Sequence, residues 1–485
     1  LTAFKVLFVS AEAAPLARTG GLGDVVGALP PVLRRLDCDV RIVLPLYKPI
    51  REQYGGQMEF LGWHMIRMGW RTLYCGVLKL EKDGQIYYLI DNEYYFNHDQ
   101  IYLDYSFDIE RFSFFQRAVL ESIEKPLDFQ PDLLHLHDWQ TGMIPCLLEA
   151  HYRPYGRLQD IRTVYTIHNL KYQGIHGRER IADLMDLPDK FMTEAGILRD
   201  GVPNFMKAGI VYADRITTVS PAYADEIKLE FYGEGLHDLL RRQSHKVVGL
   251  LNGIDTDEYN PATDPGIARN YTIDSWKEGK AACKAALQEE LGLRQTTILP
   301  LVVMVTRLVD QKGLDLLLHV LEELLDGSLQ LAVLGTGTPQ YEKALSAAAQ
   351  RHPDCLAACL SFDVALSHRF YAGGDLFLMP SLFEPCGLSQ MIAMRYGAIP
   401  IVRETGGLRD TVQPFNQYAG TGNGFSFRNI NAHELLFMTR YACDVLRHMP
   451  EAWQALVRAA MNADFSWNHS AAAYRQLYND LVLDT

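Results

Sequence analysis

Arg307 and Lys312, in the run Thr-Arg-Leu-Val-Asp-Gln-Lys-Gly, follow an apolar, strand-like segment and open a helical pattern. Two cations beside the free amides of a helix start form a clamp for phosphate. A leaving diphosphate needs that charge when no metal supplies it. The plain alternative is a pair of solvated surface charges. The stretch 381–412, SLFEPCGLSQMIAMRYGAIPIVRETGGLRDTV, sets Glu384 at a turn between a strand and a helix start. It sets Gly406-Gly407 at a second such turn. Helix starts bind anions, whereas a carboxylate in the same turns repels phosphate and suits sugar hydroxyls. The pairing points to a ligand that is part sugar and part phosphate. Ordinary turn chemistry of an α/β protein is the competing reading.

The first half of the chain carries a second set. Arg18-Thr-Gly-Gly-Leu-Gly leads from the first strand into a helix. Its adjacent glycines let backbone amides approach a phosphate, or simply let strand and helix pack closely. His135-Leu-His-Asp-Trp ends a strand, so His135 and His137 share one face and Leu136 and Asp138 the other. Two histidines without a third ligand make a poor metal site. Asp138, at the strand end, is better placed to orient a substrate hydroxyl or to cap backbone. His168-Asn169 ends a further strand; a structural role for that histidine is the alternative. The spacing G-x-G-x-x-G is absent at the first Gly turn and at Gly335-Thr-Gly-Thr-Pro-Gln, and there is no Walker A loop. That disfavours a dinucleotide-dependent oxidoreductase. Asp37-Cys-Asp39 and Asp255-Thr-Asp257 fit a metal-binding Asp-x-Asp only trivially and are read as structural.

These residues need a scaffold, and the pattern supplies one. Strands are expected over 4–10, 40–46, 133–137, 162–168, 215–220 and 247–251, with helices over 24–36 and 139–150. Residues 58–91 alternate apolar and polar, with a turn at Lys82-Asp83-Gly84, and read as β-hairpins inserted in or extending the sheet. Residues 94–106, rich in Tyr and acids, read as a loop over a site. Residues 255–279 read as a connection. Strands near 299–305, 330–334, 356–362, 376–379 and 398–402 then alternate with helices, the first over 312–325. Such alternation implies parallel sheets covered on both faces. Two series imply two doubly wound domains with ligands at the strand ends, in the cleft between them.

Bulk properties agree. At 485 residues the chain has room for roughly two to four domains. A net charge of −13 argues against nucleic acid as the main partner, so any phosphate site is a local basic pocket. No apolar run reaches the ~20 residues needed to span a bilayer. The opening residues read as a strand rather than a signal peptide. The eight cysteines are irregularly spaced and read as reduced, mostly buried cytosolic thiols, not a zinc site.

Taken together, ten segments in order resemble bacterial glycogen synthases and plant starch synthases. They are LARTGGLGDVVGALP, HLHDWQTG, YTIHNLKYQG, NFMKAGIVYADRITTVSPAYADEI, YGEGL, LLNGID, TRLVDQKGLD, SLFEPCGLSQ, RETGGLRDTV and DFSWNHSAAAYRQLY. The resemblance covers nearly the whole chain. It implies a GT-B fold, two Rossmann-like domains facing across a deep cleft. The first domain is expected over 1–252, completed by a C-terminal helix over about 466–485, and the second, nucleotide-sugar-binding domain over 253–465. The implied reaction moves glucose from ADP-glucose to the non-reducing 4-hydroxyl of an α-1,4-glucan, glycogen or a maltooligosaccharide, with retention and without a metal or other cofactor.

The resemblance also implies roles. Arg307 and Lys312 hold the diphosphate, with amides from Gly20 and Gly21. Glu384 bonds glucose hydroxyls, and the turn of Cys386, Gly387 and Leu388 seats that sugar. His168 contacts the glucose 6-hydroxyl, and its carbonyl faces the charge developing near C1, supported by Asp138. Asn252 orients the donor, Phe362 stacks on adenine, and Tyr95 reaches the site from its loop. Arg18, Asp24, Ser389 and Thr405 complete the substrate-binding set. Two departures stand out. Arg18 replaces the Lys of the family's Lys-x-Gly-Gly-Leu, exchanging a point charge for a planar fork. Beyond Tyr95 the chain reads Phe-Asn-His, without the Arg often found there. UDP-glucose or another acceptor, and a non-catalytic glucan-binding protein, are the alternatives. A bacterial cytosol is the expected location, with neither membrane nor nucleic acid as partner; a mature plastid form reads the same.

Overall fold

The computed structural model describes residues 4–483. The chain divides into two compact units, one running to Gly253 and taking in the last helix, Trp467–Leu483, the other Ile254–Ser466. The first unit is built on a nine-stranded sheet. In pairing order its strands are Val247–Gly249, Arg215–Thr218, Arg162–Ile167, Leu133–His137, Phe4–Val9, Cys38–Pro45, Gln85–Asp91, Arg71–Lys82 and Glu59–Met68. The first seven run parallel. Central strands covered on both faces have no wet side, and Leu133–His137 is buried at every residue, its two histidines included. The 58–91 region extends the sheet as an antiparallel edge. Its outermost strand, Glu59–Met68, is largely exposed, as an edge with one wet face should be.

The second unit has a six-stranded parallel sheet in the order Leu356–Cys359, Gln330–Leu334, Leu301–Val305, Leu376–Met379, Ile399–Arg403 and Phe425–Phe427. In each sheet the strand that comes first in the chain, Phe4–Val9 or Leu301–Val305, sits inside the sheet, between a neighbour on either side. The order reverses there, and the crevice at its carboxyl end is where open α/β sheets take ligands.

Several expected helices are broken. The helix expected over 139–150 is broken only near its start: Trp139–Thr141 is a short turn, and after Gly142 the chain is helical from Ile144, Ile144–Leu147 running into Leu148–Tyr152 with Pro145 tolerated in the first turn. The helix expected from Lys312 starts after it. Asp310–Lys312 is a tight turn, Gly313 takes φ +72°, and Leu314–His319 and Leu321–Leu324 follow as separate helices. A Cβ on Gly313 would lie 2.1 Å from the Pro380 carbonyl oxygen, so close approach as well as dihedral demands glycine there. The polar stretch read as a connection belongs to the second unit, and its last residues open a helix, Trp276–Glu290. The helix Trp467–Leu483 packs on Gly21–Arg34 of the first unit, and Arg475 donates to the Leu36 carbonyl at 2.7 Å. Among the described residues no helix is long and apolar enough to cross a membrane.

Candidate active site

In the second unit, the loops after Leu301–Val305 and Leu376–Met379 meet. The Leu382 amide donates to the Gln311 carbonyl at 2.8 Å, and the Gln311 side chain donates to the Phe383 carbonyl at 3.2 Å. This stitching brings Lys312 onto Glu384: Nζ lies 2.5 Å from Oε2, with side chains only 12% and 8% exposed. Ser381 Oγ donates to the same oxygen at 3.0 Å. The sequence read these two charges as separate contacts; the structure makes them one buried ion pair. A lysine has three donors, so Nζ keeps two N–H groups for a ligand. Arg307 is exposed, and among the described residues its side chain makes no ion pair.

Arg403 supports this turn from beneath. It is 3% exposed and donates Nε to the Ser381 carbonyl at 2.9 Å and a second N–H to the Leu382 carbonyl. The Gly406-Gly407 pair has a packing role. The Gly407 amide donates to the Glu384 carbonyl at 3.1 Å, and a Cβ on Gly406 would sit 1.9 Å from that same oxygen. This second Gly turn therefore locks the Glu384 loop, where the sequence read it as an anion-binding turn. Thr405 and Cys386 are buried in this contact. Gly387 takes φ +71°, and its carbonyl accepts from Gln390 at 2.9 Å. Leu388 and Ser389 are half-buried at the start of Ser389–Arg395. Phe362 lies beyond the strand Leu356–Cys359 and is 74% exposed, a free face for stacking.

The first unit carries its groups on the ends of Leu133–His137 and Arg162–Ile167. Asp138 takes φ 55° and turns Oδ1 onto the backbone amides of His168, at 2.7 Å, and Asn169, at 3.4 Å. Burial pushes its carboxyl up to about 7, against the pull of those amides. His168 Nε2 lies 3.0 Å from His137 Nδ1. Burial pushes His168 down to about 3 and His137 well below the ordinary range, so both are neutral imidazoles at pH 7. Asn252 is buried, and its Oδ1 has no partner among the described residues. At the Gly turn, a Cβ on Gly20 or Gly21 would meet nothing within 4 Å, so the start of the helix Gly21–Arg34 is open.

Two expectations change. Tyr95 does not reach out from a loop. It sits in a short helix, Glu93–Phe96, 1% exposed among Phe96, Phe107 and Phe114, and its hydroxyl donates to Glu110 at 2.9 Å. The neighbouring Tyr94 is the exposed ring. Arg18 and Asp24 pair with each other at 2.6 Å, so the cation at the Gly turn is partly neutralised.

Sequence reasoning missed Glu12. This buried carboxylate accepts from the Thr19 amide at 2.6 Å, the Thr19 hydroxyl at 2.8 Å and the Tyr102 hydroxyl at 2.6 Å. It therefore ties the 97–104 loop to the Gly turn. No motif flags it; its only signal is a lone acid after the first strand. Ser381 and Arg403 were missed too, as unremarked neighbours of Glu384. Among the described residues no group of three His, Cys, Asp or Glu side chains could hold a metal.

Comparison with known proteins gives a consistent answer. A family model described as the starch synthase catalytic domain matches residues 5–242, and one for glycosyl transferases group 1 matches 293–436. A glycogen synthase of Exiguobacterium sibiricum is 49% identical over 475 residues, 98% of each chain. That of Geobacillus stearothermophilus is 48% identical over 99% of this chain and 98% of its own. Among solved structures, the catalytic domain of starch synthase IV from Arabidopsis thaliana, bound to ADP and acarbose, superposes with a TM-score of 0.92 at 35% identity. It covers 99% of this chain and 100% of its own. A sucrose-phosphate synthase from Thermosynechococcus elongatus, at 17% identity and a TM-score of 0.63, shares the fold. The chain belongs to the glycogen and starch synthase family, hexosyltransferases of the GT-B fold.

Proposed function

We propose that the chain elongates an α-1,4-glucan, moving glucose from ADP-glucose to the non-reducing 4-hydroxyl with retention at C1. The observation that carries this reading is the buried Lys312–Glu384 pair at the switch point of the second sheet, with exposed Arg307 on the same loop. In this reading Arg307 and Lys312 neutralise the diphosphate as its bond to C1 breaks. Glu384 accepts from sugar hydroxyls and holds Lys312 in place. Charge supplied this way needs no metal. Gly20 and Gly21 offer amides, and Phe362 stacks on the adenine. His168 and Asn252 orient the glucose, and the His168 carbonyl faces the positive charge developing at C1.

The acceptor attacks on the face the diphosphate leaves, and the departing phosphate oxygen takes its proton. Alignment and electrostatics supply the rate. A double displacement would need a nucleophile on the opposite face. Asp138 is poorly suited, since Oδ1 is engaged by two amides and burial favours its protonated form. The eight free cysteines suit a reducing cytosol.

The test is nucleotide release together with glucose incorporation into glycogen, with ADP-glucose and UDP-glucose in parallel, each with and without EDTA. Transfer from ADP-glucose that survives EDTA is expected. A preference for UDP-glucose would overturn the donor assignment and direct attention to the Arg18–Asp24 pair and Phe362. Loss with EDTA would overturn the metal-free clamp.

A further inference from the structure

His137 stands directly behind His168, and nothing above assigns it a task. Its ring is wholly buried. His135 stacks on it at 4.3 Å and Phe8 lies tilted against it at 5.1 Å. His135 is itself held at both nitrogens, by the Tyr478 hydroxyl at 2.7 Å and the Thr166 hydroxyl at 2.6 Å. The last helix of the chain thus braces the histidine stack. Packed this way, the His137 ring has one orientation. Its Nδ1 lies 3.0 Å from His168 Nε2, and its own Nε2 is buried without a partner among the described residues.

Two neutral imidazoles share one proton across such a contact, and two arrangements exist. If His168 Nε2–H donates, His137 carries its remaining proton on Nε2, a buried N–H with nothing to receive it. If His137 Nδ1–H donates, its Nε2 is a bare lone pair. Orphaned buried N–H groups are rarer in folded proteins than under-satisfied acceptors, so the second arrangement is favoured. His168 then carries its proton on Nδ1, a nitrogen that no side chain among the described residues engages.

We propose that His137 is a positioning residue that fixes His168 in the Nδ1–H tautomer, so that His168 meets the donor sugar as a hydrogen-bond donor to a hydroxyl oxygen. The reverse tautomer would offer that hydroxyl a lone pair and change its orientation. This proposal rests on the reading of His168 as a sugar contact.

A double-mutant cycle on the intact enzyme tests it, with kcat and KM for the nucleotide-glucose measured separately. His137→Phe keeps a ring but removes the bond, and should lower kcat/KM about tenfold, the scale of one lost buried hydrogen bond. His137→Asn, whose amide N–H can stand where Nδ1–H stood, should recover to within about threefold. In a His168→Ala background the His137→Phe cost should largely vanish. Full additivity of the two costs would overturn the proposal. A separate arm uses ¹⁵N-histidine spectra of the wild-type protein, with His168 assigned by substitution. A proton on His168 Nδ1 is expected, and a proton on Nε2 would overturn the tautomer whatever the kinetics show. If His168→Ala costs nothing, the sugar-contact reading fails instead, and the spectra still decide the tautomer.

Discussion

The two units prepare their reactive groups in opposite ways. In the second, Lys312 and Glu384 are buried and paired, each charge compensating the other. In the first, Asp138, His137 and His168 are buried without a counter-ion among the described residues, and burial drives all three toward their uncharged forms. A leaving diphosphate brings full negative charge and calls for fixed cations. A sugar ring brings hydroxyls and only transient positive charge, and calls for neutral donors, acceptors and a carbonyl. The same strand-end positions of two similar sheets thus carry a compensated ion pair in one unit and uncharged groups in the other.

Breaking the charged half should have the largest effect. Arg307→Ala and Lys312→Ala should each lower kcat by about 10²–10³, the scale of losing one preorganised charge-stabilising donor. Only Lys312→Ala should also lower Tm, because it leaves Glu384 as an unpaired buried carboxylate; breaking a buried pair costs about 3–5 kcal/mol. Arg307 is exposed and makes no ion pair among the described residues, so its loss should leave Tm unchanged. Adding Glu384→Gln to Lys312→Ala should restore much of the Tm and none of the activity. Steady-state kinetics with thermal melts checks all four proteins. Near-normal activity in both alanine variants would refute the clamp.

Breaking the neutral half should show in pH dependence. The Asp138 carboxyl is raised to about 7 in the folded chain, against about 3.8 when unfolded. Between those values the folded state holds a proton that the unfolded state has released. The contribution of this group to stability therefore falls as pH rises from about 4 to 7, and stays low above. Asp138→Asn keeps an oxygen for the His168 amide and cannot titrate. Its pH–Tm curve should be flatter than wild type between pH 5 and 7. An unchanged slope would assign that pH dependence to another group.

The same contrast separates what the sequence reveals from what it conceals. The charged residues are legible one by one, since Arg307, Lys312 and Glu384 each follow a strand end readable from a short apolar run, but the pairing of Lys312 with Glu384 across 72 residues is not. The neutral half is built from contacts far apart in the chain. Glu12 meets Tyr102 across 90 residues, and His135 meets Tyr478 across 343. No periodicity or spacing encodes such a pair, so Glu12 escapes the sequence reading, which sets the two histidines aside as a poor metal site and sees neither His137's contact with His168 nor His135's with Tyr478. The doubly wound sheets were legible because alternation is repeated over many elements. The helix breaks at Gly142 and Gly313 are signalled locally, but an apolar period overrides them in the sequence reading. Tyr95 was placed by its loop's composition, and packing among three phenylalanines took it inward.

That last residue sets the smallest expected effect, and it separates a buried scaffold from the site. Tyr95→Phe removes only a hydroxyl bonded to Glu110. Glu110 also pairs with Arg180, so its carboxylate is not left without a partner. The net loss of one such hydrogen bond is about 1 kcal/mol. A small fall in Tm is expected, with KM for the nucleotide-glucose and kcat both within about twofold of wild type. Tyr94→Ala, which removes an exposed ring beside it, serves as the companion, and its Tm should hold. A large rise in KM for Tyr95→Phe alone would mean that this hydroxyl leaves Glu110 for the substrate. The short helix Glu93–Phe96 would then belong to the site and not to the framework behind it.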